Sequence, residues 1–465
     1  MTYENNKVSG IHIAYIGGGS RAWAWTFMTD LAMEASLSGT IRLYDIDRQA
    51  AKNNEIIGNR LSSRPEAPGK WTYKTCDSLG EALDGADFVV ISILPGTFDE
   101  MESDVHLPER LGIYQSVGDT AGPGGAIRAL RTLPVYVEFA EAIKQYAPDA
   151  WVINYTNPMA LCVRTLYHVF PQIKAFGCCH EVFNTQNVLR DICRMTYGIE
   201  NIDRKDIMVN VLGLNHFTWF DSASYKGIDL FPVYRDYIDK HFEEGYNDPE
   251  KPWTESPFNC AHRVKFDLFR RYGLIAAAGD RHLVEFMPGG EYLKDLDTIK
   301  SWKFSLTPVS YRKEDLKKRL ARSARLVSGE EEIPMRSTGE EGMLLVKALC
   351  GLDRMVSNVN IPNSALQIPN LPADTVVETN AVFSRDSIRP IMAGALPAGV
   401  KGLMDPHVAN QERIMHAALH CDRQLMVDAF LTDPLVMGRA SDHEVKKLVD
   451  DMIANTAKYL PDGWK

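Results

Sequence analysis

The chain predicts an α/β protein, a doubly wound parallel sheet followed by a second α/β domain, and three observations carry the prediction. Apolar runs rich in β-branched residues recur through the first two hundred positions, helical patterns separate them, and Gly17-Gly18-Gly19 follows the first run directly. Strands that are apolar on both faces and joined by crossover helices form a parallel sheet covered on both sides, and right-handed crossovers wind it in two directions.

The first strand is expected over residues 10–16 (GIHIAYI), the second over 41–47 (IRLYDID) and the third over 86–94 (ADFVVISIL). The fourth is AWVINY over 150–155 and the fifth KAFGCC over 174–179, with a helix at 133–146 between the third and fourth. Past residue 209 short strands mix with long helices, and residues 406–431 carry apolar positions at helical spacing. No internal repeat or low-complexity linker interrupts the chain, and 465 residues at 45% hydrophobic content exceed one ordinary domain. Two domains are expected, 8–208 and 209–465, the second serving substrate binding, with the active site between them.

Charge and thiols narrow the function. The 51 basic and 61 acidic residues give a net charge of -10, and no basic run offers a nucleic-acid footprint. The polar start MTYENNKVSG runs into a strand, and no apolar stretch approaches the ~18 residues of a membrane span. A soluble, cytoplasmic protein is expected. The eight cysteines, two of them adjacent at Cys178 and Cys179, read as reduced thiols and not as a disulfide framework.

The glycine loop Gly17-Gly18-Gly19-Ser20 ends a strand and opens a helix, so its backbone N–H groups and the helix N-terminus suit a pyrophosphate, with Ala22 in the third small position of a Rossmann-like fingerprint. Asp45, at the end of the second strand, is placed to accept from a ribose 2′-hydroxyl, which favours NAD over NADP. Pro95-Gly96 lets the backbone approach the same cofactor. At the fourth strand end, Asn154 is the better candidate for holding a sugar hydroxyl or the nicotinamide, since Asn157-Pro158 reads equally well as turn chemistry. Cys179, where the fifth strand runs into a helix, is either inert core or a metal ligand. His216 in VLGLNHFTW is either a structural histidine or the second ligand of a site that substrate or water completes. Asp280 in AAAGDRHL is either a base beside that site or a helix cap.

YIGGGS, DTAGPGGAIRALR (119–131), NYTNP, CCHEV, GLNHFTW and IPNLPADTVVE together resemble the NAD- and metal-dependent glycosidases of glycoside hydrolase family 4, in the same order from about residue 10 to 430. Cys179-His180-Glu181-Val182 is similar to the α-galacturonidase pattern within it. The resemblance implies a lactate/malate dehydrogenase-like architecture, a homodimer or homotetramer, NAD and Mn²⁺ as cofactors, and a uronic acid glycoside as substrate. It also implies a mechanism in which NAD⁺ takes hydride from C3, a base removes the C2 proton, the C1 oxygen is eliminated, water adds and the hydride returns, an exception to two-carboxylate glycosidases. Cys179 and His216 would hold the metal, Asp280 would be the base, and His180 either the leaving-group acid or a hydroxyl binder. A uronate carboxylate needs a cation, which Arg281 supplies in a bidentate pair, with Arg128 and Arg131 as alternatives. Glu181 either repels that carboxylate or orients another group. Another family 4 specificity (α-glucuronidase or α-galactosidase), a net NAD-dependent hydroxy-acid dehydrogenase and a non-catalytic NAD-binding protein are the rival readings.

Overall fold

The computed structural model describes residues 1–246, 248 and 252–464. A short strand β1 (Thr2–Glu4) turns back on β2 (Lys7–Ile16), and β3 (Leu37–Tyr44), β4 (Lys70–Thr75), β5 (Phe88–Ile91), β6 (Trp151–Asn154) and β7 (Lys174–Gly177) follow. Strands β2 to β7 run parallel in the order β7-β6-β5-β2-β3-β4. The chain winds one way from β2 through β3 to β4 and the other way from β5 to β7. The reversal between β2 and β5 opens a crevice at the carboxyl ends of those strands.

The five expected strands fall on β2, β3, β5, β6 and β7. The edge strand β4, KWTYKT, was not foreseen, because it buries only Trp71 and Tyr73 and shows lysine and threonine to solvent. An apolar-run criterion misses such a half-buried strand. The helix expected over 133–146 begins earlier, at Gly122, and runs to Tyr146 with most of its first half buried. The pattern over 406–431 is two helices, Ala398–His420 and Arg423–Leu431. The chain turns at Cys421 (φ 53°), and Asp422 caps the second helix by accepting from Leu425 N–H.

A second sheet holds β8 (Ile207–Leu214), β9 (Phe217–Tyr225), β10 (Ile228–Asp229) and β11 (Ile275–Ala276), all antiparallel. The strands β12 (Met355–Pro362), β13 (Val376–Ser384) and β14 (Ser387–Pro390) then return to the first sheet, where β12 lies antiparallel beside β7 through Asn360 and Gly177. Position 208/209 falls inside β8, the first strand of the second sheet. One apolar cluster joins Ile16 and Leu130 to Trp219, Val400 and Met452. The return relieves an edge problem: β7 would otherwise end the parallel sheet with unpaired backbone groups.

Candidate active site

The glycine loop closes tightly over the crevice. Gly17 has φ 88°, and a Cβ there would lie 2.0 Å from the Ser92 carbonyl oxygen; one at Gly19 would lie 2.6 Å from Ala50 Cβ. Side chains are excluded at both positions by backbone and packing. Asp45 accepts from Gly19 N–H at 2.8 Å and Asp47 N–H at 2.9 Å, so it shapes the loop as well as facing it. Asn54, which the sequence did not single out, donates to the Gly18 and Ser20 carbonyls at 2.7 and 2.9 Å. The helix Trp23–Met33 starts without a side-chain cap, which leaves N–H groups there for an anion. Pro95 lies in the loop after β5, and its carbonyl accepts from Arg131 Nε at 3.5 Å.

At the end of β6 the two asparagines have different surroundings. Asn154 is fully buried: its Oδ1 accepts from Tyr136 OH and Thr156 N–H, and its Nδ2 donates to the Thr156 carbonyl, so its amide builds the strand end. Asn157 instead reaches Asp119 Oδ2 at 3.3 Å, and its Oδ1 is buried without a partner.

His216 occupies the tip of the β8–β9 hairpin, where Leu214 pairs Phe217 and leaves Asn215-His216 as a two-residue turn. Its φ of 64° is left-handed, a conformation that costs a non-glycine residue roughly 1–2 kcal/mol. The side chain is buried, and its ring centroid lies 3.8 Å from that of His282. One ligand atom each from Asp119, His216 and His282 lies within 4.8 Å of the other two. Thr120 Oγ1 donates to Asp119 Oδ1 at 2.7 Å and stands 2.9 Å from His216 Nδ1. With the hydroxyl proton engaged by Asp119, Nδ1 carries the imidazole proton and Nε2 keeps its lone pair for a ligand. Burial and the neighbouring His282 hold His216 down to about 3, so the ring is neutral. Burial pushes the other way on Asp119, but Arg128, His282 and His216 outweigh it and hold the carboxyl well below its usual range.

Cys179 is buried outside that triad of ligand atoms, and its carbonyl accepts from Asn358 Nδ2 at 2.9 Å. The same Nδ2 donates to Glu378 Oε1 at 2.6 Å, and Asn215, beside His216, donates to Glu378 Oε2 at 3.4 Å. Glu378, through Asn358, thus ties the segment after β7 that carries Cys179 to the hairpin carrying His216. Burial, with Glu378 and Glu181 nearby, pushes the Cys179 thiol up, so its thiolate needs a cation beside it. A neutral imidazole, an ionised carboxylate and such a thiol fit a divalent ion.

Glu181 starts the helix Glu181–Tyr197, accepts from Gly279 N–H at 3.0 Å and lies 3.7 Å from His282 Nε2. His180 presents Nδ1 to Glu340 at 3.3 Å and packs against Trp23 with ring centroids 5.5 Å apart. Burial lowers the His180 pKa, but Glu340 and Glu181 more than reverse that and raise it to about 9.

Asp280 faces elsewhere. Its oxygens accept from Val264 N–H at 3.0 Å and Lys265 N–H at 3.3 Å, at the start of the helix Arg263–Tyr272. Asp280 thus holds the first amides of that helix. Its neighbours are Cys260 and His262, and the Lys265 ammonium group is also close. Arg281 donates to the Ser116 carbonyl at 3.2 Å and to Thr307 Oγ1, while its Nε is buried without a partner. Arg128 donates to the Asn157 carbonyl at 3.0 Å, and Arg131 forms a buried ion pair with Asp104. The sequence missed Arg312. It shares the Phe258 ring with Arg281, its Nε is also buried and unpartnered, and its charged neighbours include Asp119, Arg281 and Arg128. Nothing in a 20-residue basic helix distinguishes one inward arginine from its solvated neighbours.

Residues 12–195 match the model of the family 4 glycosyl hydrolases, and residues 211–436 match that of the family 4 glycosyl hydrolase C-terminal domain. The chain belongs to the family 4 glycosyl hydrolases. It is 65% identical over 464 residues to an alpha-galacturonidase of Lachnoclostridium phytofermentans, covering 100% of both chains. It is also 52% identical over 451 residues to an alpha-galacturonidase of Bacillus subtilis, covering 97% of this chain and 98% of that one. Among solved structures, lplD from Bacillus subtilis superposes with a TM-score of 0.91 at 50% identity, covering 96% of this chain and 100% of that one. A 6-phospho-alpha-glucosidase from gut microorganisms, solved in complex with NAD and Mn²⁺, shares the fold with a TM-score of 0.77 at 21% identity over 97% of this chain and 99% of that one.

Proposed function

We propose that this chain hydrolyses α-galacturonides with NAD and a divalent ion, Mn²⁺, as cofactors. The observation that carries the reading is the cationic wall of buried Arg128 and Arg281 and half-buried Arg312 beside Asp119 and the paired imidazoles. A sugar with a carboxylate in place of a hydroxymethyl group brings one more anion to three cations whose own counter-charges are Asp119 and Glu285. The full-length relatives named alpha-galacturonidase support the choice of sugar.

When bound, NAD⁺ supplies a reversible oxidation at C3 and the divalent ion supplies Lewis-acid polarisation. Gly17, Gly19, Ser20 and Asp45 would hold the dinucleotide, with Pro95 on the facing loop. Cys179, His216 and Asp119 would hold the ion. His282, whose Nδ1 is buried without a partner, takes the C2 proton, because helix amides hold the Asp280 carboxylate. His180, charged at neutral pH beside Glu340, donates a proton to the departing glycosidic oxygen. Glu181 fixes the His180 and His282 edges from between them. On the same reading the chain works as a homodimer or homotetramer in the cytoplasm, and eight free cysteines fit a reducing compartment.

The deciding assay incubates the protein with Mn²⁺, NAD⁺ and a reductant, and follows an aryl α-galacturonide beside α-glucuronide and α-galactoside controls at the NADH band. Galacturonide cleavage without NADH accumulation is expected. Cleavage of another glycoside would overturn the sugar and keep the mechanism. NADH building up with a hydroxy acid and no glycoside cleaved would make the chain a dehydrogenase.

A further inference from the structure

The helix Val309–Ser328 reaches the catalytic cluster in its first turn through Arg312. Asp315, Arg319 and Arg322 follow at spacings that keep them on the Arg312 side of the helix. They line a groove of ≈ 800 Å³ together with Arg21, just before the helix Trp23–Met33, and Trp25 and Thr29 within it, and Arg322 stacks over the Trp25 ring. A second connection links this groove to the site. Trp23, next to the wall residue Ala22, packs on His180, and Glu340, two residues beyond the lining residue Thr338, pairs with His180 Nδ1.

Six cations line the groove, Arg21, Lys318, Arg319, Arg322, Arg325 and Arg336, against one carboxylate, Asp315, in a chain of net charge -10. Three carboxylates neutralise part of that charge. Asp315 pairs with Arg319 at 2.6 Å, Glu331 with Arg322 and Arg325 at 2.7 and 2.8 Å, and Asp47 with Arg21 at 3.4 Å. The cations still outnumber these carboxylates two to one, and among the described residues Lys318 and Arg336 make no ion pair. Gly17, Gly19, Asp45 and Pro95 do not line the groove, so it lies beside the dinucleotide crevice and not within it.

We infer that this groove receives the leaving-group side of a polyanionic substrate: the second and third uronate residues of an oligogalacturonide whose terminal unit sits among Arg128, Arg281 and Arg312. The inference rests on the galacturonidase reading and extends it from a monosaccharide pocket to a chain-binding cleft. Each further sugar brings one carboxylate, which an arginine fork or a lysine ammonium accepts, and each such contact at a half-exposed site is modest and screened by salt.

The test uses the whole protein with NAD⁺, Mn²⁺ and reductant, and compares kcat/KM for an aryl α-galacturonide, digalacturonate and trigalacturonate at low and high NaCl. The wild type is expected to favour trigalacturonate over the aryl substrate by roughly 10-fold, with the preference shrinking in salt. The double variant Lys318→Gln/Arg336→Gln breaks no ion pair. It is expected to lose most of that preference while aryl turnover and NAD affinity stay unchanged. An unchanged preference in the variant overturns the inference, as does a wild type indifferent to chain length and salt. A variant that loses NAD affinity would assign the groove to the dinucleotide and overturn it too. Calorimetric titration of trigalacturonate into wild type and variant reads the groove without turnover. Should the wild type cleave no galacturonide, the catalytic reading fails while tighter binding of the trimer by wild type than by variant still upholds the groove.

Discussion

Asp119, Thr120, His216 and His282 form a chain in which each polar atom constrains the next. Thr120 fixes the His216 tautomer, and Asp119 takes the hydroxyl proton that makes this possible. Replacing His282 with Gln should therefore stop solvent deuterium from entering C2 of the sugar while leaving bound Mn²⁺ intact, measured by mass spectrometry and metal analysis. If Asp280→Asn abolishes C2 exchange and His282→Gln does not, the base is Asp280 and the assignment to His282 is void. Arg312→Gln should raise the KM for the galacturonide roughly 10- to 100-fold, the worth of one charge-assisted pair, with little change for any residual galactoside cleavage. Equal losses on both sugars would show that Arg312 supports the fold of the pocket and does not read the carboxylate.

Two elements carry consequences of their own. The β8–β9 hairpin holds a histidine where its backbone favours glycine or asparagine, a strain that makes sense if the imidazole is needed there. His216→Asn should leave the melting temperature unchanged or higher and remove activity; a fall of many degrees would mean that His216 is structural. The helix Arg263–Tyr272 depends on Asp280 for its first amides. Asp280→Ala should lower stability by about 1–2 kcal/mol in a denaturant titration, and Asp280→Asn by less, because an amide oxygen still accepts. The family resemblance puts the base at Asp280, two residues from His282. In the short helix Asp280–Leu283 the two side chains point to different neighbours, His282 to Asp119 and His216, Asp280 to Cys260 and His262.

Across the whole molecule, Asp433 joins the C-terminal helices to the start of Gly122–Tyr146, accepting from the backbone N–H groups of Leu435 and Gly122. Burial raises its pKa to about 7, against the roughly 3.9 of an unfolded aspartate. Between those values the folded chain binds the extra proton, so this group's contribution to stability falls as pH rises from about 4 to 7 and is level above. Asp433→Asn should remove a fall on the order of 2–4 kcal/mol from the pH profile of unfolding, and a profile that keeps its slope would locate the titrating group elsewhere.

The sequence by itself determined five of the six parallel strands, the glycine loop with Asp45, and the position of Cys179 just past the carboxyl end of β7, because each depends on local pattern: a buried run, a turn only glycine can make, or a strand that ends where a helix begins. The family was legible for the same reason, since its motifs are short and keep their order. Tertiary structure alone decided that β12 to β14 close the first sheet, that Asn157 and not Asn154 faces Asp119, and that His282 and Arg312 join the site. These choices are made between segments far apart in the chain, where orientation, burial and the supply of hydrogen-bond partners select one of several side chains that composition and spacing leave equivalent.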